Sequence, residues 1–304
     1  MLSDDEIQLM QAIGASGSLT RAAASLGKAP STVSYTLRQI EERFDALLFD
    51  RRRYRLQLTP AGALLVREAA RLRDDMQRLT RRVTQVAKGW EDRLSIVTDE
   101  IIEFDSLLPL VQDFDALDSG VNLRITHEVL GGTWEALADG RADLVIGATN
   151  EPPAGAGVQW RELGQMRWVY AVAPRHPLAS VQGALTAEQM QAHRAVVVAD
   201  TSRRNEGRAY GHAAGQVTLA VPSMAAKIEA QRAGLGVGWL PEARVASLLR
   251  RGELLARRVA VPREPNTLYV GWRASDGRAL AWWLEKLDDP RLGERLVNGL
   301  DRHA

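Results

Sequence analysis

The chain has 304 residues, 45% of them hydrophobic and 25% charged, with a formal net charge of +1. That is enough for two or three domains with buried cores, and no apolar run reaches the ~18 residues that cross a bilayer. There is no cysteine, which excludes disulfides, thiol chemistry and Cys-ligated zinc. The acidic first six residues carry no signal-peptide pattern, so the reading is a cytoplasmic protein with no membrane partner. The near-neutral total hides an asymmetry: residues 1–90 carry 15 Lys and Arg against 10 Asp and Glu, the remainder 24 against 28. A basic head on an acidic body suits a polyanion.

From the N-terminus, Ile7, Leu9, Met10 and Ile13 form the apolar stripe of one helix, which the stretch from Gly14 to Gly17 breaks. Ser18 reads as the N-cap of a helix over residues 19–26 that Gly27 ends. A third helix covers residues 31–44, with Val33, Leu37, Ile40 and Phe44 along one face. Leu48 and Phe49 lead into the basic run Arg51, Arg52, Arg53, Tyr54, Arg55, and residues 56–58 alternate like a short strand. Thr59 followed by Pro60 is a helix start, a capping hydroxyl ahead of a proline whose missing N–H costs nothing there. Residues 61–88 read as one long helix with Leu65, Ala69, Leu72, Met76, Leu79, Val83 and Val86 spaced alternately four and three apart. So narrow a seam has coiled-coil spacing, and a second copy of the chain is the simplest partner for it. Beyond Gly89, a hinge candidate, strand-like segments at 94–97, 122–126, 144–146, 168–173, 195–198, 217–221 and 268–272 alternate with helix-like ones at 107–114, 134–138, 223–233 and 280–287. That alternation predicts sheets covered by helices, with residues 151–157 as a loop or crossover.

A helix-turn-helix needs a small residue where its helices meet, a tight turn, and a second helix with apolar residues behind and polar ones in front. Ala23 and Gly27 meet the first two demands, and Val33, Leu37 and Ile40 form the back. Ser18, Thr20, Pro30, Ser31, Thr32, Ser34, Tyr35 and Arg38 are then the candidate DNA contacts. Short hydroxyls and a helix N-terminus suit phosphates, and Ser34, Tyr35 and Arg38 are placed for base edges. Arg51, Arg52, Arg53 and Arg55 would form a wing against phosphates or the minor groove, Arg51 being equally suited to pairing with a carboxylate near Phe49. A plain helical bundle with a charged loop satisfies the same pattern.

The stretch SGSLTRAAASLGKAPSTVSYTLRQIEERFDALLFDR, followed by LTPAG, resembles the signature of LysR-type transcriptional regulators. LLPLV, LADGRADLVIGA and RAGLGVGWLP resemble family segments in the family's order. Pro30 stands where the family often has Gln, Tyr35 where it often has Arg, and Arg53-Tyr54 where it often has Gly-Arg. The resemblance implies an α/β fold overall: an N-terminal all-α winged helix-turn-helix (1–60), a long dimerising linker helix (61–89) and a C-terminal two-lobed α/β domain like periplasmic binding proteins (90–304). Lobe one would take residues 91–164 and 273–304, and lobe two 165–272. The implied partners are double-stranded DNA carrying an inverted repeat, a small-molecule effector between the lobes, the chain itself as dimer or tetramer, and RNA polymerase.

Loops at strand ends line such a cleft. They single out Thr98, Asp99 and Glu100; Leu130, Gly131 and Thr133; Thr149; Thr201, Ser202 and Arg203; and Ser223 and Met224. Thr98, Thr201 and Ser223 are equally suited to capping helices. Asp99 and Glu100 would repel an anion unless they point away, so the expected effector is neutral, phenolic or cationic. The stretches GWEDRLSIVTDE and VLGGTWEAL are similar to family members that respond to quinols and other aromatic compounds. Trp134, Trp160, Trp168 and Trp239 are candidates for stacking on such a ring, although core packing suits each as well.

Two rival classes fit less. The five histidines (His127, His176, His193, His212, His303) have no metal-ligand spacing, and there is neither a GxSxG elbow nor a GxxxxGK[ST] loop. Gly234, Gly236 and Gly238 suggest a dinucleotide loop, but the third glycine is misplaced. No enzyme, metal or cofactor is expected. A cytoplasmic small-molecule binder without a regulatory role would explain the α/β part and leave residues 1–88 without a use.

Overall fold

Ser3 opens α1 (Asp4–Ser16) through a reciprocal capping box with Glu6, and Gly17, at φ 64°, closes it in the left-handed region. The helix therefore runs through Gly14, where a break was expected; a helical glycine costs only about 1 kcal/mol, and Gly17 alone takes the positive φ that ends the helix. The computed structural model describes residues 2–50, 56–204 and 211–299, in two units, Met1–Thr84 and Gln85–Ala304.

In the first unit, the Ser18 hydroxyl starts α2 (Leu19–Ser25) by accepting from the Arg21 amide, and proline starts α3 (Pro30–Phe44). Ile13, Ala22, Ala23, Val33, Leu37 and Ile40 are completely buried; the two alanines are small enough for the three helices to close on one another. β1 (Phe49–Asp50) and β2 (Gln57–Leu58) pair antiparallel, Phe49 opposite Leu58. Buried Glu41 fixes the base of this ribbon, its Oε1 accepting the amides of Leu48 at 2.9 Å and Phe49 at 3.2 Å. The basic run from Arg51 to Arg55 lies outside the described residues.

Thr59 starts α4 (Pro60–Ala87): its Oγ1 accepts from the Gly62 amide and donates to the Leu47 carbonyl. Gly62 turns its bare α-carbon to the ribbon, and a β-carbon there would sit 2.0 Å from the Leu48 carbonyl oxygen. The seven-residue seam divides. Leu65 packs on the helical core and Ala69 is buried, so these two belong to the unit's own interior. Leu72, Met76, Leu79, Val83 and Val86 are 58–69% exposed.

In the second unit, β3 (Arg93–Asp99), β4 (Asn122–Glu128) and β5 (Leu144–Ala148) run parallel, with α5 (Phe104–Asp115) and α6 (Gly131–Ala138) as crossovers. β6 (Gln159–Met166) and β12 (Asn266–Trp272) complete a sheet of order β4-β3-β5-β12-β6, β12 being antiparallel to both its neighbours. α10 (Arg278–Leu287) and α11 (Pro290–Asn298) return to this sheet and bury Trp283 beside Phe114. A second group centres on β7 (Trp168–Val172), flanked antiparallel by β10 (Gly238–Pro241) and β11 (Leu255–Arg257). β8 (Ala195–Val198) and β9 (Thr218–Val221) pair in parallel beside it, with α7 (Ala187–Gln191), α8 (Met224–Arg232) and α9 (Glu242–Arg250) around them. The architecture is the expected two-lobed α/β domain. One boundary moves: β12, assigned to lobe two by its position in the chain, hydrogen-bonds within the first sheet. The chain crosses between lobes twice, after β6 and again at β12.

The close approach at Gly62 gives a test. Gly62→Ala should destabilise the first unit by about 1–3 kcal/mol in chemical denaturation. Gly14→Ala, whose added carbon meets only the flexible Leu58 side chain at 3.3 Å, should be near neutral. Equal midpoints for the two variants would remove the steric role of Gly62.

Candidate nucleic-acid interface and effector pocket

α3 turns its apolar row inward and leaves Pro30, Ser31, Thr32, Tyr35 and Arg38 exposed, with Ser34 half-buried. Ala29, ahead of Pro30, supplies no side-chain cap, so the first-turn amides of α3 keep their positive end for an outside acceptor. Gln39 Nε2 donates to Tyr35 Oη at 2.8 Å, holding the phenol along the helix. The cations around α3 differ in availability. Arg43 is held by both carboxylate oxygens of Glu6, at 2.8 and 3.0 Å, and this bond keeps the Glu6 carboxyl below its ordinary range. Lys28 pairs with Asp5 at 2.8 Å. Arg38 has no hydrogen bond or ion pair among the described residues. Thr20 is exposed at the start of α2, whereas Ser18 is engaged as that helix's cap.

In the second unit a cavity of about 200 Å³ opens at the carboxyl ends of β3, β4 and β5, where ligands of open α/β sheets bind. Asp99, Glu100, Ile101, Leu130 and Thr149 line it from the first sheet. Val198 at the end of β8, Met224 and Lys227 on α8, and Trp168 at the start of β7 face them. Arg263 and Asn266 enter where β12 begins.

Asp99 is buried, its two oxygens accepting the amides of Ile101 and Leu130 at 3.0 Å each. Burial pushes this carboxyl up to about 7 against those two bonds, with the charges of Glu100 and Asp200 adding to the rise. Glu100 Oε2 accepts the Met224 amide at 2.6 Å, joining the β3 end to the N-terminus of α8; burial raises this carboxyl too. Burial, together with the charge of Arg263, brings Lys227 down to about 8. Arg263 lies 4.0 Å over the Trp168 ring, and both donate to Asn266 Oδ1.

Of the residues expected to meet an effector, Asp99, Glu100, Leu130, Thr149 and Met224 come together at this cavity. The others do not line it. Thr98 Oγ1 is bonded to His127 Nδ1, Thr133 donates back to the Leu130 carbonyl, and Ser223 caps α8. Gly131 packs on Ser202, and Thr201 bridges the amide and carbonyl of Val129. Ser202 and Arg203 close on Glu135, which accepts the Ser202 hydroxyl and the Arg203 and Arg204 amides. These hydroxyls sit at the expected strand ends, but they are already engaged, those of Thr133, Thr201 and Ser223 by backbone groups and those of Thr98 and Ser202 by the His127 and Glu135 side chains. Lys227, Arg263 and Asn266 were not anticipated. Lys227 had a readable signal: it is three residues after Met224, on the same face of a helix. Trp168 lines the cavity, whereas Trp134 is buried in the core.

Residues 5–63 match the family model described as bacterial regulatory helix-turn-helix protein, lysR family, and residues 87–289 match the LysR substrate binding domain. The chain is 32% identical to the uncharacterized HTH-type transcriptional regulator YeeY of Escherichia coli K12, over 93% of this chain and 92% of that one. It is 33% identical to the HTH-type transcriptional regulator PunR of the same organism, over 95% and 94%. Full-length LysG of Corynebacterium glutamicum shares the fold at 24% identity, with a TM-score of 0.52 over 96% of this chain and 98% of that one, and its structure is also known with bound effector Arg.

The raised Asp99 carboxyl makes a pH test. In the unfolded chain it ionises near 3.9, so between about 4 and 7 the folded chain holds a proton that the unfolded chain has released. Its contribution to stability is full below that window and is lost as pH rises through it. Asp99→Asn should therefore gain stability relative to wild type, on the order of 4 kcal/mol, between pH 4 and pH 7 in parallel thermal melts. A difference independent of pH would show that Asp99 ionises normally.

Proposed function

The chain belongs to the LysR family of bacterial transcriptional regulators, and on that premise we propose that α3 reads the major groove of an operator under the control of a small effector held at the ends of β3, β4 and β5. As a member of a family of regulators it is not an enzyme. The observation that carries the reading is the outward face of α3, where Tyr35 is held by Gln39 and the Arg38 side chain has no acid partner among the described residues. Ser31, Thr32 and the uncapped amides of α3 take phosphates, Ser34, Tyr35 and Arg38 the base edges, and the wing from Arg51 to Arg55 the flanking backbone or minor groove. Residues 1–60 form the DNA-binding domain, 61–89 the linker helix and 90–304 the effector domain.

The exposed row from Leu72 to Val86 is covered by the same row of a second copy, because a four-three spacing meets an identical helix in register. Two such chains face an inverted repeat with half-sites about one turn, ~34 Å, apart, as a dimer or as a tetramer of two dimers. The assembly works in the cytoplasm with RNA polymerase as its target. A cavity of about 200 Å³ takes a compound of roughly one ring, since an apolar cavity of about 150 Å³ holds benzene. That size agrees with the aromatic class suggested by the GWEDRLSIVTDE and VLGGTWEAL stretches. A small-molecule binder without a regulatory role leaves the helix-turn-helix unused.

Fluorescence anisotropy with DNA from upstream of the chain's own gene, against scrambled DNA at two salt concentrations, tests the regulator. Preference for the upstream DNA, weakening as salt rises, is expected. Arg38→Ala should cost about 1–3 kcal/mol of that preference, while Arg43→Gln, on an arginine already paired with Glu6, should leave it; the opposite order would displace α3 from the groove. Replacing Leu72 and Leu79 together with Glu should reduce the mass in light scattering to that of a monomer and abolish operator binding, and an unchanged mass would exclude α4 as the dimer seam.

A further inference from the structure

The protein satisfies the charges around the cavity unequally. Both carboxylates are engaged by backbone: Asp99 by the amides of Ile101 and Leu130, Glu100 by that of Met224. The two cations have no such support. Lys227 is 5% exposed and its ammonium has no hydrogen bond or ion pair among the described residues, and the charge that acts on it is that of another cation, Arg263. Among the described residues, the direct partners of Arg263 are both neutral, the Trp168 ring and Asn266 Oδ1. Two like charges drawn out of water with no acid between them are costly, and an anion bound between them relieves both.

Building on the effector pocket proposed above, we infer that its ligand is a small carboxylic acid bound as the anion, its carboxylate shared by Lys227 and Arg263 and its body set against Ile101, Leu130 and Met224. Arginine's planar fork and lysine's compact ammonium both suit a carboxylate. The cavity volume limits the body to roughly one ring or a short chain. The inference replaces the neutral or cationic effector expected from Asp99 and Glu100. Those two acids do not repel an anion as free surface carboxylates would, because backbone dipoles stabilise the charge they keep and burial raises both toward the neutral form.

The test titrates benzoate, benzamide, benzylamine and hydroquinone, with butyrate and butyramide for a chain-like body, into the full-length protein by calorimetry at pH 7. One of the two acids should bind about tenfold or more tighter than its amide, and than the amine and the quinol. Lys227→Met and Arg263→Gln should each weaken that acid about tenfold or more. Removing an unpaired buried charge should not lower the melting temperature, so Lys227→Met without ligand should melt no lower than wild type. An amide, the amine or hydroquinone binding as tightly as the acids, an acid indifferent to both substitutions, or no binding of either acid overturns the inference. Operator binding is read on the same samples. If it is retained without an acid response, the anion fails alone; if it is absent in wild type, the regulator reading fails. Should Lys227→Met not fold, Arg263→Gln decides.

Discussion

The Asp99 carboxyl holds the floor of the cavity at the carboxyl ends of β3, β4 and β5. Its two oxygens tie the Ile101 amide at the end of β3 to the Leu130 amide ahead of α6. Leu130 sits at φ 54° and ψ −117°, a conformation L residues avoid, and its bond to Asp99 helps keep it there. From that fixed point α6 begins, and Glu135, on its second turn, gathers the 202–204 segment that follows β8. One buried acid thus sets the position of the helix to which the other lobe attaches. The energy of its burial is met by two amide dipoles and a carboxyl raised toward neutrality.

A second contact of the same kind lies across the cavity. Glu100 reaches the first amide of α8, where the helix dipole favours a negative charge, and Arg244 donates to the Glu100 carbonyl and pairs with Glu103. In both contacts lobe two offers backbone amides to an acid of lobe one: Glu135 of α6 takes those of residues 203 and 204, and Glu100 takes that of Met224. Each such contact is worth about 1.5–3 kcal/mol net, the range for a hydrogen bond to a charged group, because water replaces the amide donor. A ligand that changes the lobe separation works against these contacts and needs a matching difference in affinity between the two arrangements.

What was legible in the sequence was local. Ser18, Gly27, Thr59 and Pro60 act on their own neighbours, and the apolar row of α3 repeats within one helix, so the DNA-binding unit could be read residue by residue. Gly14 misled because composition alone does not say which glycine of a cluster takes the positive φ; Gly17 does. Ala69 shows the limit of a heptad reading, since spacing places it on the seam but not whether its own domain reaches it first. The pocket is of another kind. Trp168, Lys227 and Arg263 come from β7, α8 and the approach to β12, and they meet only because β12 returns to lie between β5 and β6. No window of sequence contains that crossing. The threonines chosen at strand ends are in place, yet Thr98 and Thr133 point their hydroxyls to His127 and Leu130.

Five apolar side chains are left in water along α4, and the pairing proposed for them would depend on how much of the chain is present. For a regulator with one reading helix per chain, pairing joins two weak half-site contacts into one event governed by local rather than bulk concentration. On the pairing proposed above, each bound unit requires two chains, so occupancy of an operator would rise more steeply than linearly with the number of molecules per cell. The hydrophobicity of Leu72, Met76, Leu79, Val83 and Val86 would set the expression level at which the regulator switches on, independently of anything in the effector pocket.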